Sequence, residues 1–200
     1  MRVSFSGAII FSVKRIAIEK SLKRTIVFID AANVIYSLKD LGWKIDYKKV
    51  QKFFRTKTNL VDIYFYIAYF DEDVGKKSLL EMLSRKGFKI RSKEVKEIKT
   101  ADGIIHKGNC DVELTMDAMS LVRSFDTTIM MSGDSDFAPL IIFLKSQGKK
   151  VITVSTRGHI SKELIEVSDS FLYFDLFKKY WEMERKISEN QRTSPKRGSR

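Results

Sequence analysis

The sequence predicts a three-layer α/β domain in which helices cover both faces of a mainly parallel sheet. Three observations lead there. Strand-like and helix-like segments alternate along the chain. The segments Thr25–Ile29 and Ile129–Met131 are apolar almost throughout, as strands covered on both faces are. Both run directly into helical patterns, as strand-to-helix crossovers do. A chain of 200 residues with 44% hydrophobic content is one ordinary domain with a substantial core.

In chain order, the first strand is expected at 25–30 and ends in Asp30. A helix over 33–41 follows, with Val34, Ile35 and Leu38 on one side. A helix is expected over 47–55 and a strand over 61–69. In that strand Tyr64, Phe65 and Tyr66 are core residues, whereas Tyr69 and Phe70 at its carboxyl end either pack or stack on a base. A helix over 75–86 leads to a strand over 88–95, with Phe88, Ile90 and Val95 on one side. The accompanying Arg85, Lys86, Lys89, Arg91, Lys93, Lys96 and Lys99 form either an RNA-facing ridge or a charged guard along a sheet edge. Lys96 to Asn109, with Gly103 and Gly108, reads as a loop. The helix over 110–124 carries the stripe Leu114, Ala118, Leu121 and Val122. After a strand at 127–132, the helix over 136–147 aligns Phe137, Leu140, Ile141 and Leu144, with Pro139 in its first turn and Gly148 as its stop. A strand at 150–155, a helix over 160–167, a strand at 171–174 and a helix over 175–188 complete the pattern.

The domain is expected to span 24–177, with a basic extension over 1–23 and a C-terminal helix and basic tail over 178–200. Residues 1–24 hold six Lys/Arg against one acid, and residues 178–200 hold eight against three, so most of the +12 net charge lies at the ends. Such arms either attract a phosphate backbone or are solvated tails. Arg192–Arg200 has the composition of a disordered segment. Met1–Val13 has a short apolar run, but Lys14-Arg15 follow in place of a clean cleavage site, so it reads as an extension. The single Cys provides no disulfide framework and makes a reducing cytoplasm the expected compartment. One Cys and two His do not build a usual structural zinc site. No apolar run approaches the ~20 residues of a spanning helix, so no membrane role is expected.

Function is most legible in the acids. Asp30 ends one buried strand, and Asp134 and Asp136 follow another through Ser132-Gly133. In open α/β sheets ligands sit at the carboxyl ends of strands. Asp111 shares the apolar stripe of its helix and stands in the first turn, so it either caps that helix or points into a site. Asp117 falls at the edge of the polar face beside Glu113 and Ser120. Like charges gathered in one crevice repel unless a cation or hydrogen bonds compensate. The chemistry that uses such a cluster is divalent-metal work on phosphates: Mg²⁺ favours oxygen ligands, and divalent ions polarise phosphates and activate water. Alternatively, Asp134 and Asp136 only shape and cap a helix start. His106 and His159 are isolated, and Cys110 lacks a His partner motif for nucleophilic catalysis.

Asp30-x-x-Asn33 after the first strand, Lys107-Gly-Asn-x-Asp111-Val-Glu-Leu with Asp117, and Ser132-Gly-Asp-Ser-Asp136-Phe together resemble the NYN domain. This is the LabA-like branch of the PIN-like ribonuclease superfamily, and the likeness runs from about Arg24 to Phe177. It implies a Rossmann-like α/β/α fold and an Mg²⁺- or Mn²⁺-dependent nuclease acting on RNA. Asp30, Asp111, Asp134 and Asp136 would be the catalytic metal ligands, with Asn33 and Ser132, and further out Asp117, in support. The family usually has Gly where this chain has Ala31. Lys107 either meets a scissile phosphate or pairs with Asp117 or Glu113. Lys107, Arg91, Lys93 and Lys96 are the expected nucleic-acid contacts. DNA remains an alternative to RNA as partner, and no residue argues for or against a homodimer. Two rival functions stand beside the nuclease. One is a catalytically silent RNA-binding or protein-binding regulator. The other is a phosphatase of the haloacid-dehalogenase type, which needs Asp-x-Asp after the first strand; here Ala32 occupies the second acid position, and that match fails.

Overall fold

Strand β1 (Arg24–Asp30) is buried at every position after Arg24, because it is paired on both sides. Phe28 lies opposite Tyr64 of β2 (Asn59–Tyr69) on one side and Met130 of β6 (Thr127–Met131) on the other, both in parallel. The computed structural model describes residues 23–100 and 103–184, and every structural statement below concerns those residues. From β1 the chain passes through α1 (Ala31–Leu41) and α2 (Tyr47–Lys57) to β2, then through α3 (Val74–Arg85) to β3 (Lys89–Glu94). A hairpin of β4 (Lys96–Thr100) and β5 (Gly103–Lys107) leads to α4 (Asp111–Ser120) and β6. A 3-10 turn (Ser135–Phe137), α5 (Ala138–Ser146), β7 (Lys150–Ser155), α6 (Lys162–Val167) and β8 (Ser170–Tyr173) follow. A second 3-10 turn (Phe174–Phe177) and α7 (Lys178–Trp181) end the described fold.

The six-stranded sheet has the order β3-β2-β1-β6-β7-β8, parallel throughout. The chain builds outward from β1 in one direction, returns, and builds outward from β6 in the other. The order therefore reverses between β1 and β6, and the crevice above their carboxyl ends is where such sheets bind ligands.

Strand alternation sends consecutive residues of the central strands into two separate cores. Val27, Ile29, Phe65, Met131 and Val154 meet α1, α2 and the C-terminal turn, where Phe54, Phe174 and Trp181 are fully buried. Ile26, Phe28, Tyr66, Met130 and Val151 meet Leu114 and Ala118 of α4 and Leu140, Ile141 and Leu144 of α5. These are the outer layers that the near-continuous apolar strands imply.

Three departures from the sequence reading are informative. The segment 96–107 is an antiparallel hairpin, with Ile98 opposite Ile105, and not a loop. Its period-two pattern is hidden among lysines, yet Asp102-Gly103 is a turn signal of the kind that closes hairpins. The helix expected over 110–124 ends at Ser120. The helix expected over 175–188 is only the 3-10 turn and the short α7; its last residues, 185–188, lie outside the described ones, as do the basic extension over 1–22 and the tail over 185–200. Packing sets this geometry: Trp181 is stacked on Phe177 at 4.0 Å between ring centroids and meets Phe53 edge-on at 5.5 Å. The chain then pairs Glu182 with Ile45. The first core thus reaches past residue 177. Trp181→Ala should destabilise the protein by about 3–5 kcal/mol in urea unfolding, and a chain ending at Phe177 should lose at least as much.

Candidate active site

β1 and β6 end side by side, with Ile29 opposite Met131. The next residue of β1 is Asp30, and the chain leaving β6 is Ser132-Gly133-Asp134. Asp30 is 9% exposed. It caps α1, accepting from the backbone N–H of Asn33 at 3.2 Å, while its other oxygen accepts from the Ser132 hydroxyl at 2.9 Å. The Asn33 side-chain oxygen in turn accepts from the Gly133 N–H at 2.9 Å. Asn33 and Ser132 therefore tie the two strand-end turns together from opposite sides. Ala31 is buried as the first residue of α1, and no residue other than glycine adopts a positive φ, so alanine sits there without backbone strain.

Asp134 is half-buried and accepts from the Asp136 N–H at 3.0 Å, so the turn-capping role belongs to Asp134, while Asp136 is exposed. Asp111, in the first turn of α4, is half-buried and accepts from the Asn109 side-chain amide at 2.6 Å. Burial is the first cause that lifts its carboxyl from 3.8 to about 6, followed by the charges of Asp30, Asp134, Asp136 and Glu113. Asp30 is also raised: burial outweighs the hydrogen bonds from Asn33 and Ser132, and Asp134 adds repulsion. Asp111 thus feels the charges of Asp30, Asp134 and Asp136, and Asp30 that of Asp134.

Between Asp30 and Asp111 lies a recess of ≈ 20 Å³ whose walls include Ala32, Tyr66 and Cys110. It has room for one water or a small ion. Among the described residues no three His, Cys, Asp or Glu side chains are grouped closely enough to hold an ion on their own. A hard cation of the Mg²⁺ type needs only one or two carboxylates, with water and phosphate oxygens completing its shell. The all-oxygen donor set therefore fits such an ion. A larger recess, ≈ 450 Å³, lies at the opposite end of α1 among Leu38, Trp43, Leu79 and Met82, and its apolar walls have no part in this chemistry.

The outlying residues are placed differently from one another. Asp117 accepts from the Tyr66 hydroxyl and from Arg91 Nε, each at 2.9 Å, and so bolts α4 to β2 and β3. Lys93 pairs with Glu113 at 2.7 Å. Two of the expected nucleic-acid contacts are therefore engaged with acids of α4. Lys96 is exposed at the start of β4. Lys107 ends β5, and its side chain lies outside the described residues. Tyr64, Phe65 and Tyr66 are buried as expected, whereas Tyr69 is half-exposed. Burial raises the Cys110 thiol, which disfavours the thiolate and agrees with its exclusion as a nucleophile. Sequence reasoning missed Gly133: a Cβ there would lie 1.6 Å from the His159 carbonyl oxygen, so only glycine lets the loop after β7 close against this turn. Its place between Ser132 and Asp134 was the available signal.

The NYN domain family model matches residues 24–176, and the chain belongs to that family. It is 29% identical over 154 residues to the low amplitude and bright protein LabA of Synechococcus elongatus, covering 74% of this chain and 82% of that protein. An uncharacterized protein of Methanocaldococcus jannaschii is 37% identical over 67 residues, covering 32% of this chain and 28% of its own. The crystal structure of a protein of unknown function from Vibrio parahaemolyticus superposes with a TM-score of 0.66 at 22% identity, covering 80% of this chain and 96% of that one, which establishes the shared fold.

Two outcomes test this geometry. Asp111 holds its proton more tightly folded than unfolded, so the metal-free protein should lose stability as pH rises from about 4 through about 6. Asp111→Asn removes that loss and should raise the melting temperature of metal-free protein near neutral pH by on the order of 2–4 °C, with no gain at acid pH. Gly133→Ala should lower unfolding free energy by about 1–3 kcal/mol, read by chemical denaturation.

Proposed function

We propose that this NYN-domain chain is a divalent-metal-dependent ribonuclease that hydrolyses RNA phosphodiester bonds at the crevice between β1 and β6. The observation that supports this reading is the strand-end geometry: β1 and β6 end side by side, Ser132 and Asn33 tie their turns together around Asp30, and Asp30 and Asp111 line one small recess. Acids are held against their own repulsion where a cation is meant to sit.

Of Asp30, Asp111, Asp134 and Asp136, one or two carboxylates would hold Mg²⁺ or Mn²⁺, foremost Asp30 and Asp111, which line the recess, with water and phosphate oxygens completing the shell. When bound, the ion supplies Lewis acidity toward phosphate oxygens and lowers the pKa of water. The protein's part is positional. Ser132 and the Asn33 N–H each take one oxygen of Asp30, which fixes the carboxylate plane while leaving a lone pair on each oxygen. Asn33 locks the β6 turn to the β1 turn, so Asp134 keeps its place relative to Asp30. Asn109 orients Asp111. The basic ends of the chain supply salt-sensitive attraction to the RNA backbone. The RNA specificity comes from the family, and a reducing cytoplasm suits the lone buried Cys110. Among the described residues no helix is long and apolar enough to cross a membrane.

Cleavage of end-labelled single-stranded RNA, structured RNA and single-stranded DNA with Mg²⁺, Mn²⁺ or EDTA tests the reading. The wild type should cut RNA only with metal. Asp134→Asn should abolish cutting and leave the fold intact, because asparagine caps the turn as well as aspartate does. A variant as fast as wild type removes Asp134 from the site. Tight RNA binding without cutting in any metal moves the protein to the regulatory-binder class.

A further inference from the structure

The crevice has two flanks, and they differ in what they offer a nucleic acid. On the β3 side two of the cations are engaged: Arg91 with Asp117 and Lys93 with Glu113. On the β7 side the loop between β7 and α6 folds onto the acid-bearing turn. Ser161 donates its N–H to the Gly133 carbonyl at 3.0 Å, and the Ser155 hydroxyl donates to the His159 carbonyl at 3.3 Å. That carbonyl fills the space where a side chain at 133 would be.

This closure places two further groups beside the acids. The His159 ring meets Tyr36 edge-on, with centroids 5.4 Å apart and planes at 84°. Tyr36 lies one turn along α1 from Asn33, the residue bonded to Gly133, and it is 63% exposed. Lys39 Nζ lies over the Tyr36 ring, 5.9 Å from its centre, so contacts from the loop and from its own helix restrain this exposed ring. Arg157, exposed in the same loop, lies 4.4 Å from the centre of the Tyr173 ring at the end of β8. It has no carboxylate partner among the described residues. An exposed aromatic and a guanidinium without a carboxylate partner, both on segments that meet at the loop closing over Gly133, are the two components of sequence-tolerant single-strand binding.

We propose that single-stranded RNA enters the acid crevice across the β7–β8 flank, with Tyr36, braced by His159, stacking on a base and Arg157 holding a backbone phosphate. The proposal rests on the ribonuclease reading and assigns that reading's substrate path.

The test is equilibrium binding of a short 5′-labelled single-stranded RNA to the full chain in EDTA, followed by fluorescence anisotropy over a range of salt. Tyr36→Ala should weaken binding by about tenfold or more, whereas Tyr36→Phe, which keeps the ring, should bind as wild type does. Arg157→Ala should reduce the slope of log affinity against log salt by about one. If Tyr36→Ala binds as tightly as wild type, or Tyr36→Phe is as weak as Tyr36→Ala, the stacking path is wrong while the nuclease assignment stands. If the wild type binds no RNA, both fall together.

Discussion

The hydrogen bond from the Gly133 N–H to the Asn33 side chain joins two segments a hundred residues apart in the chain, and the candidate site depends on it. Together with its companion between Ser132 and Asp30, it opposes the like-charge repulsion that would carry the carboxylates of the two turns away from one another. Both bonds are formed by residues at or within three positions of a strand end: Asp30 and Asn33 on one side, Ser132 and Gly133 on the other. The sheet brings the two ends to adjacent positions, and the two short polar side chains convert adjacency into fixed geometry. The loop after β7 adds a third constraint from the far side, closing on the one residue that has no side chain.

This arrangement trades stability for function. The raised carboxyls of Asp30 and Asp111 mean that the folded protein is less tolerant of negative charge there than the unfolded chain is. The two cores, with fully buried Phe28, Phe54, Phe65 and Trp181, supply the reserve that tolerates such a site. Nearby, Asp117 shows the opposite solution: a carboxylate of α4 that is neutralised by Arg91 and hydrogen-bonded by Tyr66, and which therefore holds elements together. On one helix, Asp111 and Asp117 differ in setting: Asp117 is ion-paired with Arg91, whereas Asp111 is hydrogen-bonded by the Asn109 side-chain amide.

Much of this was legible in the residues. The buried strands announced themselves because a strand covered on both faces has no polar side to show, and Asp30 and Asp134 stood out as acids ending such strands. The α4 stripe put Asp111 on the inward side. What local pattern could not yield depended on contacts far along the chain. The partners of Arg91 and Lys93 lie on a helix twenty or more residues away, so a lysine-rich strand looked the same whether its cations were free or engaged. Trp181 curtails its helix because Phe53 and Phe177 receive its ring, and no helical periodicity encodes that. The β4–β5 hairpin was obscured by the very lysines and glutamates that keep its strands soluble. Gly133 carries no side chain, and the meaning of its absence appears only when the His159 carbonyl is in place.

The central position of β1 also bears on how the protein is made. During synthesis β1 can pair with β2, and β2 with β3, as soon as those segments emerge, but the other edge of β1 stays open until β6 follows, about a hundred residues later. The acids therefore do not meet in the early chain, because Asp134 and Asp136 follow β6, the strand whose pairing closes that edge of β1. Assembly of the site is coupled to closing that edge, so a nascent chain interrupted before β6 has neither the charge cluster nor the protection from aggregation that a neighbouring strand confers.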